Sequence, residues 1–182
     1  MTRLTDEEKR IRKRSRFLEK ACEYTTGTYL RKFVANDFQR VIRAEYGAST
    51  DSTAEAVIDG VLCYVPRRVG QCVCVTCGKV QAWDSGIKGM HCGHFLASRR
   101  NSIVLEEDNV APQCAHCNYY ANGVAAAFRH WMEEVRGIEV IERLERLKSD
   151  IRKFSREELV DLRLGYLDRL KAAIHSMKGG GE

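Results

Sequence analysis

The sequence predicts a mixed α+β fold that is mostly helical, with a small β core between helical flanks. Three observations predict this class. Apolar residues recur at helical spacing in both flanks, short β-type runs joined by turn residues lie near the centre, and two Cys-x-x-Cys pairs occur in that central part. A hydrophobic content of 44% with 30% charged residues is typical of a folded, water-soluble protein.

These patterns divide the 182 residues into four segments. We predict a basic helical N-terminal arm at 1–48, a zinc-bound core at 49–135, C-terminal helices at 136–178 and a disordered tail at 179–182. No apolar run approaches the roughly 20 residues that span a bilayer, and the charged N-terminus lacks the apolar core of a signal peptide. We therefore expect a cytoplasmic protein without a membrane partner.

Positive charge is concentrated in the N-terminal arm. Residues 1–48 hold 12 Lys/Arg against 7 Asp/Glu, which accounts for the whole formal charge of +5. Thr5 and the acids after it predict a helix start, and a basic run follows, so we expect a solvent-facing helix that becomes ordered against a partner. Nucleic acid is the obvious polyanion, and a solvated helix without a partner is the alternative. The candidate DNA-contacting residues of the run are Arg12, Lys13, Arg14 and Arg16.

The remaining elements follow from periodicity and turn residues. An amphipathic helix is predicted from Tyr29 to about Tyr46, and Asp59-Gly60 predicts the two-residue turn of a β-hairpin. A short strand is expected at 90–96, and Cys114 is expected to open a helix. Helices are also predicted at 124–134, at 138–147 and from a capping box at Ser155 to about residue 177.

The two Cys-x-x-Cys pairs, separated by 36 residues, predict one structural zinc site. Each pair can offer two thiolates to a tetrahedral ion, and two pairs complete four ligands. Eight cysteines without an export signal favour metal ligation in a reducing compartment over disulfides. Buried free thiols are the alternative, and Cys72 could replace the first ligand at a poorer spacing. The predicted ligands are Cys74, Cys77, Cys114 and Cys117.

The long segment between the pairs carries His94 and Asn109, and Asn118 follows the last cysteine directly. Hydrolysis of a phosphodiester needs an activated water, a stabiliser of the developing charge and help for the leaving oxygen. A strand that delivers a histidine, followed by a helix that delivers an asparagine, is a minimal structure for this chemistry. Zinc can fix such a strand and helix relative to each other where no large core exists.

This arrangement resembles the HNH (His-Me finger) nucleases, whose core is a ββα unit. The resemblance implies that His94 is the general base, that Asn109 braces the loop and that Asn118 binds a catalytic Mg²⁺ or Mn²⁺ ion. On this basis the central segment is a zinc-stabilised ββα core, with the hairpin around Asp59-Gly60 inserted before it.

A closer resemblance is to the phage lambda NinG/Rap family of recombination endonucleases, over roughly residues 28–175. The shared features are Cys74-x-x-Cys77-Gly78, Trp83, Gly93-His94-Phe95, Asn109 and Gln113-Cys114-x-x-Cys117-Asn118. The resemblance implies branched DNA, such as Holliday junctions or D-loops, as the substrate, and the cytoplasm of a bacterial host as the location. The family tends to have an Asp three residues before the catalytic His, where this chain has His91. We consider His91 as a second metal ligand, with Asp84 as the alternative.

Three functions remain open on the sequence. They are a structure-specific DNA endonuclease, a catalytically idle zinc module that binds DNA or protein, and a sequence-specific HNH endonuclease. Arg99 and Arg100 follow the strand that carries His94, so we predict that they contact phosphate, with solubility charges as the alternative. A junction must be cut on two strands, so we also expect a homodimer, at least on DNA, with the C-terminal helices as its contact.

Overall fold

The computed structural model describes residues 4–97 and 101–179. Within these residues the fold is mixed α+β and mostly helical, as predicted, with helices on both sides of three β-hairpins. The helices are α1 (Asp6–Cys22), α2 (Thr26–Tyr29), α3 (Ala35–Ala48), α4 (Ala125–Trp131), α5 (Ile138–Ser149) and α6 (Arg156–Gly179). The strands are β1 (Thr53–Ile58), β2 (Val61–Pro66), β3 (Gln71–Val73), β4 (Val80–Ala82), β5 (Met90–His94) and β6 (Val110–Cys114). Single π-helical turns at Leu30–Val34, His116–Tyr120 and Met132–Arg136, and a 3₁₀ turn at Glu107–Asn109, complete the regular structure.

The strands form three antiparallel two-stranded sheets, in which β1 pairs with β2, β3 with β4 and β5 with β6. The β1–β2 turn consists of Asp59 and Gly60, both with positive φ angles, of 51° and 81°. Two successive positive φ angles are what a two-residue hairpin turn needs to match the twist of its strands. The hairpin predicted from the Asp-Gly pair is therefore confirmed.

The β5–β6 sheet corrects one expectation. Cys114 ends a strand, paired with Met90, and does not open a helix. We did not predict β6 because it contains Pro112, and a proline cannot donate a hydrogen bond to a β ladder. Its carbonyl accepts from the Val75 amide (3.0 Å), and the N–H and C=O of one strand residue point to the same side. The missing donor therefore faces away from β5, and the pairing survives the proline.

Helix α1 begins at the predicted cap, where Thr5 and Glu8 exchange side-chain-to-backbone hydrogen bonds. It is not a free arm in this chain, because its apolar side, including Phe17, packs against the core cluster to which α6 contributes. Arg14 pairs with Asp161 of α6 at 2.7 Å. An element of the same chain therefore covers part of α1, and the ordering of this helix against a partner stays a prediction.

The largest hydrophobic cluster joins α3 and α6 with residues of β5 and β6. Its centre contains the rings of Phe38 and Tyr166, with centroids 5.3 Å apart. A nearly buried ion pair, Arg163 with Asp37 at 2.8 Å, fixes the two helices. Helix α6 starts at the predicted Ser155 capping box. One core thus spans segments that the sequence assigned to three regions, and the boundaries between them stay a prediction.

A second cluster packs α4 and α5 against β1 and contains Phe128 and Trp131, both 2% exposed. This burial confirms the expectation that these rings belong to the core. No helix in residues 4–97 and 101–179 has the length and apolarity that crossing a membrane requires.

Candidate functional site

The four predicted cysteines converge in the structure. Cys74 follows β3, Cys77 lies in the next turn, Cys114 ends β6 and Cys117 lies in the π-helical turn after it. Their sulfur atoms all lie within 4.8 Å of one another, and the Cys77 and Cys114 sulfurs are 3.8 Å apart. Tetrahedral zinc with bonds of about 2.3 Å holds its sulfurs about 3.8 Å apart, so this set fits a structural zinc ion. Cys72 points elsewhere, toward the Arg43 carbonyl at 3.2 Å, and does not replace Cys74.

The first cysteine turn is shaped by Gly78. Its φ angle is +72°, and its amide donates to the Cys74 carbonyl at 2.9 Å. That backbone conformation strains any other residue type, so the glycine lets the chain curl around the metal position. Burial raises the pKa of the Cys117 thiol to about 11, so without a cation this thiol keeps its proton at neutral pH. Zinc binding must release such protons, and its affinity therefore falls with falling pH.

Gln113 ties the cysteine cluster to strand β5, a role that sequence reasoning missed. It is fully buried, and its Nε2 donates to Thr76 Oγ1 (3.1 Å) and to the Gly123 carbonyl (2.8 Å). Gly93 on β5 leaves the space that the Gln113 side chain occupies. The available signal was its position directly before Cys114 in the second cysteine motif.

Asn109 closes the loop that follows β5. The side chain is fully buried; its Oδ1 accepts from the Leu96 amide (2.8 Å), and its Nδ2 donates to the carbonyls of Leu96 (3.1 Å) and Ile103 (3.2 Å). These bonds join Asn109 to the start and the middle of the loop, and the bracing role of Asn109 in a nuclease site stays a prediction. Arg99 and Arg100, predicted to contact phosphate from this loop, lie outside the described residues.

His94 is the last residue of β5 and is half-buried. Its Nε2 lies 3.4 Å from the Val104 carbonyl. Burial lowers the pKa of the His94 imidazole below its ordinary value, because desolvation disfavours the charged form. The ring is therefore neutral at neutral pH and can accept a proton.

His91 and Asn118 meet on the other side of the strand. Asn118 Nδ2 lies 3.2 Å from His91 Nδ1, and His91 Nε2 lies 2.7 Å from the Ile87 carbonyl. One neutral tautomer, with the proton on Nε2, satisfies both contacts. His91, Asn118 and Asp84 all line a cavity of about 510 Å³, so the three candidate ligands of a catalytic ion share one site.

The structure does not bring every candidate together. His94 does not line this cavity, although Met90 and Cys92, which alternate onto the same face of β5 as His94, do line it. Of the basic run on α1, Arg14 and Lys13 are paired with acids of α6. The other two members, Arg12 and Arg16, have no described carboxylate partner and line a cavity together with Lys13 and Phe17.

Two arginines of the cavity were not predicted. Arg40 and Arg43 reach it from α3, where they flank the buried pair Val41 and Ile42. Their spacing of three residues on a helix was the available signal, because it puts both side chains on one side. Without the tertiary fold, nothing indicated that this side faces the histidine strand.

This geometry defines a class of protein in which a β-hairpin is followed by a helical turn. A four-cysteine cluster holds the hairpin and the turn together, and His and Asn residues lie at the edge of the hairpin. More particularly, the chain belongs to the family described as bacteriophage Lambda NinG protein, whose model matches residues 58–175, more than half of the chain. The family predicted from the cysteine and Gly93-His94 motifs is confirmed. No curated protein and no solved structure matches the chain. The family match begins after α3, so Arg40 and Arg43 lie outside it.

Proposed function

We propose that this protein is a metal-dependent DNA endonuclease of the HNH type that cuts branched recombination intermediates. The observation that carries the proposal is the β5–β6 hairpin with its following helical turn, closed by the cysteine cluster and carrying His94, Asn109 and Asn118 in that order. Membership of the NinG family supports the same reading. In this proposal the hairpin and the turn form the ββα core.

His94 is proposed as the general base. A neutral imidazole can take the proton of a water molecule, and burial keeps His94 neutral to a lower pH than an exposed histidine. Asn109 contributes by fixing the loop that follows the histidine. The products are a 5′-phosphate and a 3′-hydroxyl.

Asn118 and His91 are proposed to hold the catalytic Mg²⁺ or Mn²⁺ ion, with Asp84 as the alternative to His91. Their donor atoms fit such an ion, because an amide oxygen, an imidazole nitrogen and a carboxylate on one cavity wall offer ligands of the right chemistry. When bound, the ion stabilises negative charge on the phosphate. The Asn118 amide must turn its oxygen toward the ion, which breaks the present contact with His91.

The separation of His94 from this cavity constrains how DNA must lie. His94 is at the very end of β5, and the sheet has only two strands. A DNA strand that crosses the end of β5 can reach His94 there and can reach the cavity beside the first three residues of β5, which line it. We therefore propose that the scissile phosphate crosses this end.

The structural zinc ion is proposed to hold this hairpin and turn together through its four cysteine ligands. A homodimer on DNA is proposed because two strands of a junction must be cut. The apolar side of α6 is already used by α1 and α3 within the chain. A dimer contact must therefore use the outer surfaces of α5 and α6.

Single-turnover cleavage tests the function. We would compare a four-way junction with a linear duplex of matched sequence, each end-labelled, in Mg²⁺ and in Mn²⁺. Cleavage restricted to the junction supports the proposal, cleavage of the duplex at a fixed sequence favours a sequence-specific HNH enzyme, and binding without cleavage favours an idle zinc module. Asn118→Ala should abolish most cleavage and be partly rescued by more metal.

His91→Ala and Asp84→Ala separate the two candidate second ligands. The variant that removes the true ligand should require a higher metal concentration for half-maximal cleavage, and the other should not. Equal metal dependence of both variants and the unaltered protein would assign neither residue to the ion.

A further inference from the structure

The cavity that contains His91 and Asn118 has a second wall, formed by α3. Gln39, Arg40 and Arg43 line it from that helix. Two guanidinium groups therefore face the same space of about 510 Å³ as the candidate metal ligands. The family match, which starts at residue 58, leaves this wall unassigned.

Arg43 is held in place but is not neutralised. Its Nε donates to the Trp83 carbonyl at 3.2 Å, and its own carbonyl accepts from the Cys72 thiol at 3.2 Å. Within residues 4–97 and 101–179, no carboxylate forms an ion pair with it. A guanidinium has five N–H donors, so the outer nitrogens of Arg43 remain available to a ligand in the cavity.

An uncompensated, half-buried cation is costly. Burial lowers the pKa of Arg43; the neighbouring Cys92 and Cys72 act in the opposite direction, and the charge of Arg40 lowers it. Buried charges in proteins are normally compensated, and most other partly buried arginines pair with a carboxylate, as Arg163 does with Asp37. Among the described residues Arg67 and Arg156 have no such pair, but they donate to four and two backbone carbonyls, whereas Arg43 donates to one. Arg43 therefore lacks the anion that its environment calls for.

Arg40 adds a second positive charge to the lining of the same cavity. It is exposed, and its described carboxylate contact is with Asp37 at 3.6 Å. That carboxylate already accepts a shorter bond from Arg163, at 2.8 Å. Arg40 can therefore turn toward an anion without leaving Asp37 unpaired.

We propose that Arg43 and Arg40 bind a phosphate of the DNA backbone inside this cavity, next to the candidate metal ligands. The inference rests on the proposed function for its substrate, and it extends the binding surface to α3. Guanidinium groups are suited to this role because their paired N–H groups match phosphate oxygens. Arg43 supplies a fixed contact and Arg40 a movable one.

The test measures junction binding by the full-length, zinc-loaded protein, with Ca²⁺ in place of Mg²⁺, over a range of salt concentrations. Arg43→Gln and Arg40→Gln each remove one positive charge from the cavity. Arg68→Gln is the matched control, because Arg68 is an exposed arginine after β2 that does not line the cavity and does not lie on the C-terminal helices. Zinc content and far-UV circular dichroism establish that each variant is folded.

Arg43→Gln should weaken junction binding about 10-fold, the loss typical of one hydrogen-bonded charge. Each cavity variant should also flatten the log-affinity against log-salt slope by about 0.9 per phosphate contact, whereas Arg68→Gln should change neither quantity. Affinity and slope equal to those of the control in both cavity variants would overturn the inference. If Arg43→Gln fails to fold, the slope of the exposed Arg40→Gln variant decides.

The same experiment separates this inference from the proposed function. Suppose that the unaltered protein binds junctions but does not cut them in Mg²⁺ or Mn²⁺, and that Arg43→Gln still lowers the affinity. The phosphate site is then supported and the endonuclease proposal is refuted. If the unaltered protein cuts junctions and both cavity variants bind like Arg68→Gln, the endonuclease proposal is supported and the phosphate site is refuted.

Discussion

Gly93→Ala tests the packing that holds the histidine strand against the cysteine cluster. A Cβ atom at Gly93 would lie 2.7 Å from Gln113 Cδ and 2.9 Å from Cγ, and it would also meet Oε1. Gln113 cannot move aside freely, because it is fully buried and its Nε2 donates to Thr76 and Gly123. Overpacking of this kind costs about 1 to 3 kcal/mol.

Gly165→Ala is the matched control. Gly165 is an exposed residue of α6, and nothing lies within 4 Å of the position of an added Cβ. Alanine is a better helix former than glycine, so this variant should be more stable by up to about 1 kcal/mol. The same chemical change should therefore have opposite signs at the two sites.

Thermal unfolding at fixed free zinc concentration measures the difference. For a chain of this size, about 1 kcal/mol shifts the midpoint by about 2 to 4 °C. Gly93→Ala should therefore lower the midpoint by about 2 to 12 °C, while Gly165→Ala should leave it unchanged or raise it. Equal midpoints for the two variants would refute the proposed contact between β5 and Gln113.

Three further predictions concern single residues. Asn109→Ala should destabilise the protein by about 1 to 3 kcal/mol in urea unfolding, because the buried backbone groups it joins lose their partner; an unchanged midpoint would contradict its bracing role. Arg163→Ala should cost up to about 3 kcal/mol, since it leaves the buried Asp37 with only its longer contact to the exposed Arg40, whereas Arg14→Ala, at an exposed pair, should change stability little; similar losses would argue against the buried pair. In a pH–rate profile, the acid limb of cleavage should lie below about 6.5, because a lowered pKa keeps the His94 base unprotonated to lower pH; a limb above pH 7 would exclude His94 as the base.

Local sequence signals predicted the elements whose formation depends on few residues. The Asp59-Gly60 turn, the caps at Thr5 and Ser155 and the cysteine cluster each follow from short-range chemistry, and the structure contains all of them. Strand β6 was missed because the sequence shows that Pro112 lacks an N–H donor but does not show which way that donor would point. In the structure it would point away from β5, so the pairing of the two strands loses no hydrogen bond there.

The parts that could not be predicted depend on which faces meet. The basic pattern of α1 indicates a helix but not that α6 covers it, and Arg14 looks free until Asp161 is placed opposite. The spacing of His91 and His94 implies opposite faces of a strand, but the sequence did not show that His91 lines a cavity and His94 does not. The position of Arg43 in this cavity likewise could not be predicted, because it depends on the packing of α3 against the hairpin.

Single-turnover cleavage of a four-way junction by His94→Ala tests whether this hairpin is a nuclease centre. We predict a rate lower by roughly 10² to 10⁴, with zinc content and junction affinity unchanged, because His94 is neither one of the four clustered cysteines nor part of the cavity proposed to bind phosphate. Cleavage at the unaltered rate would contradict the assignment of this hairpin as a nuclease centre.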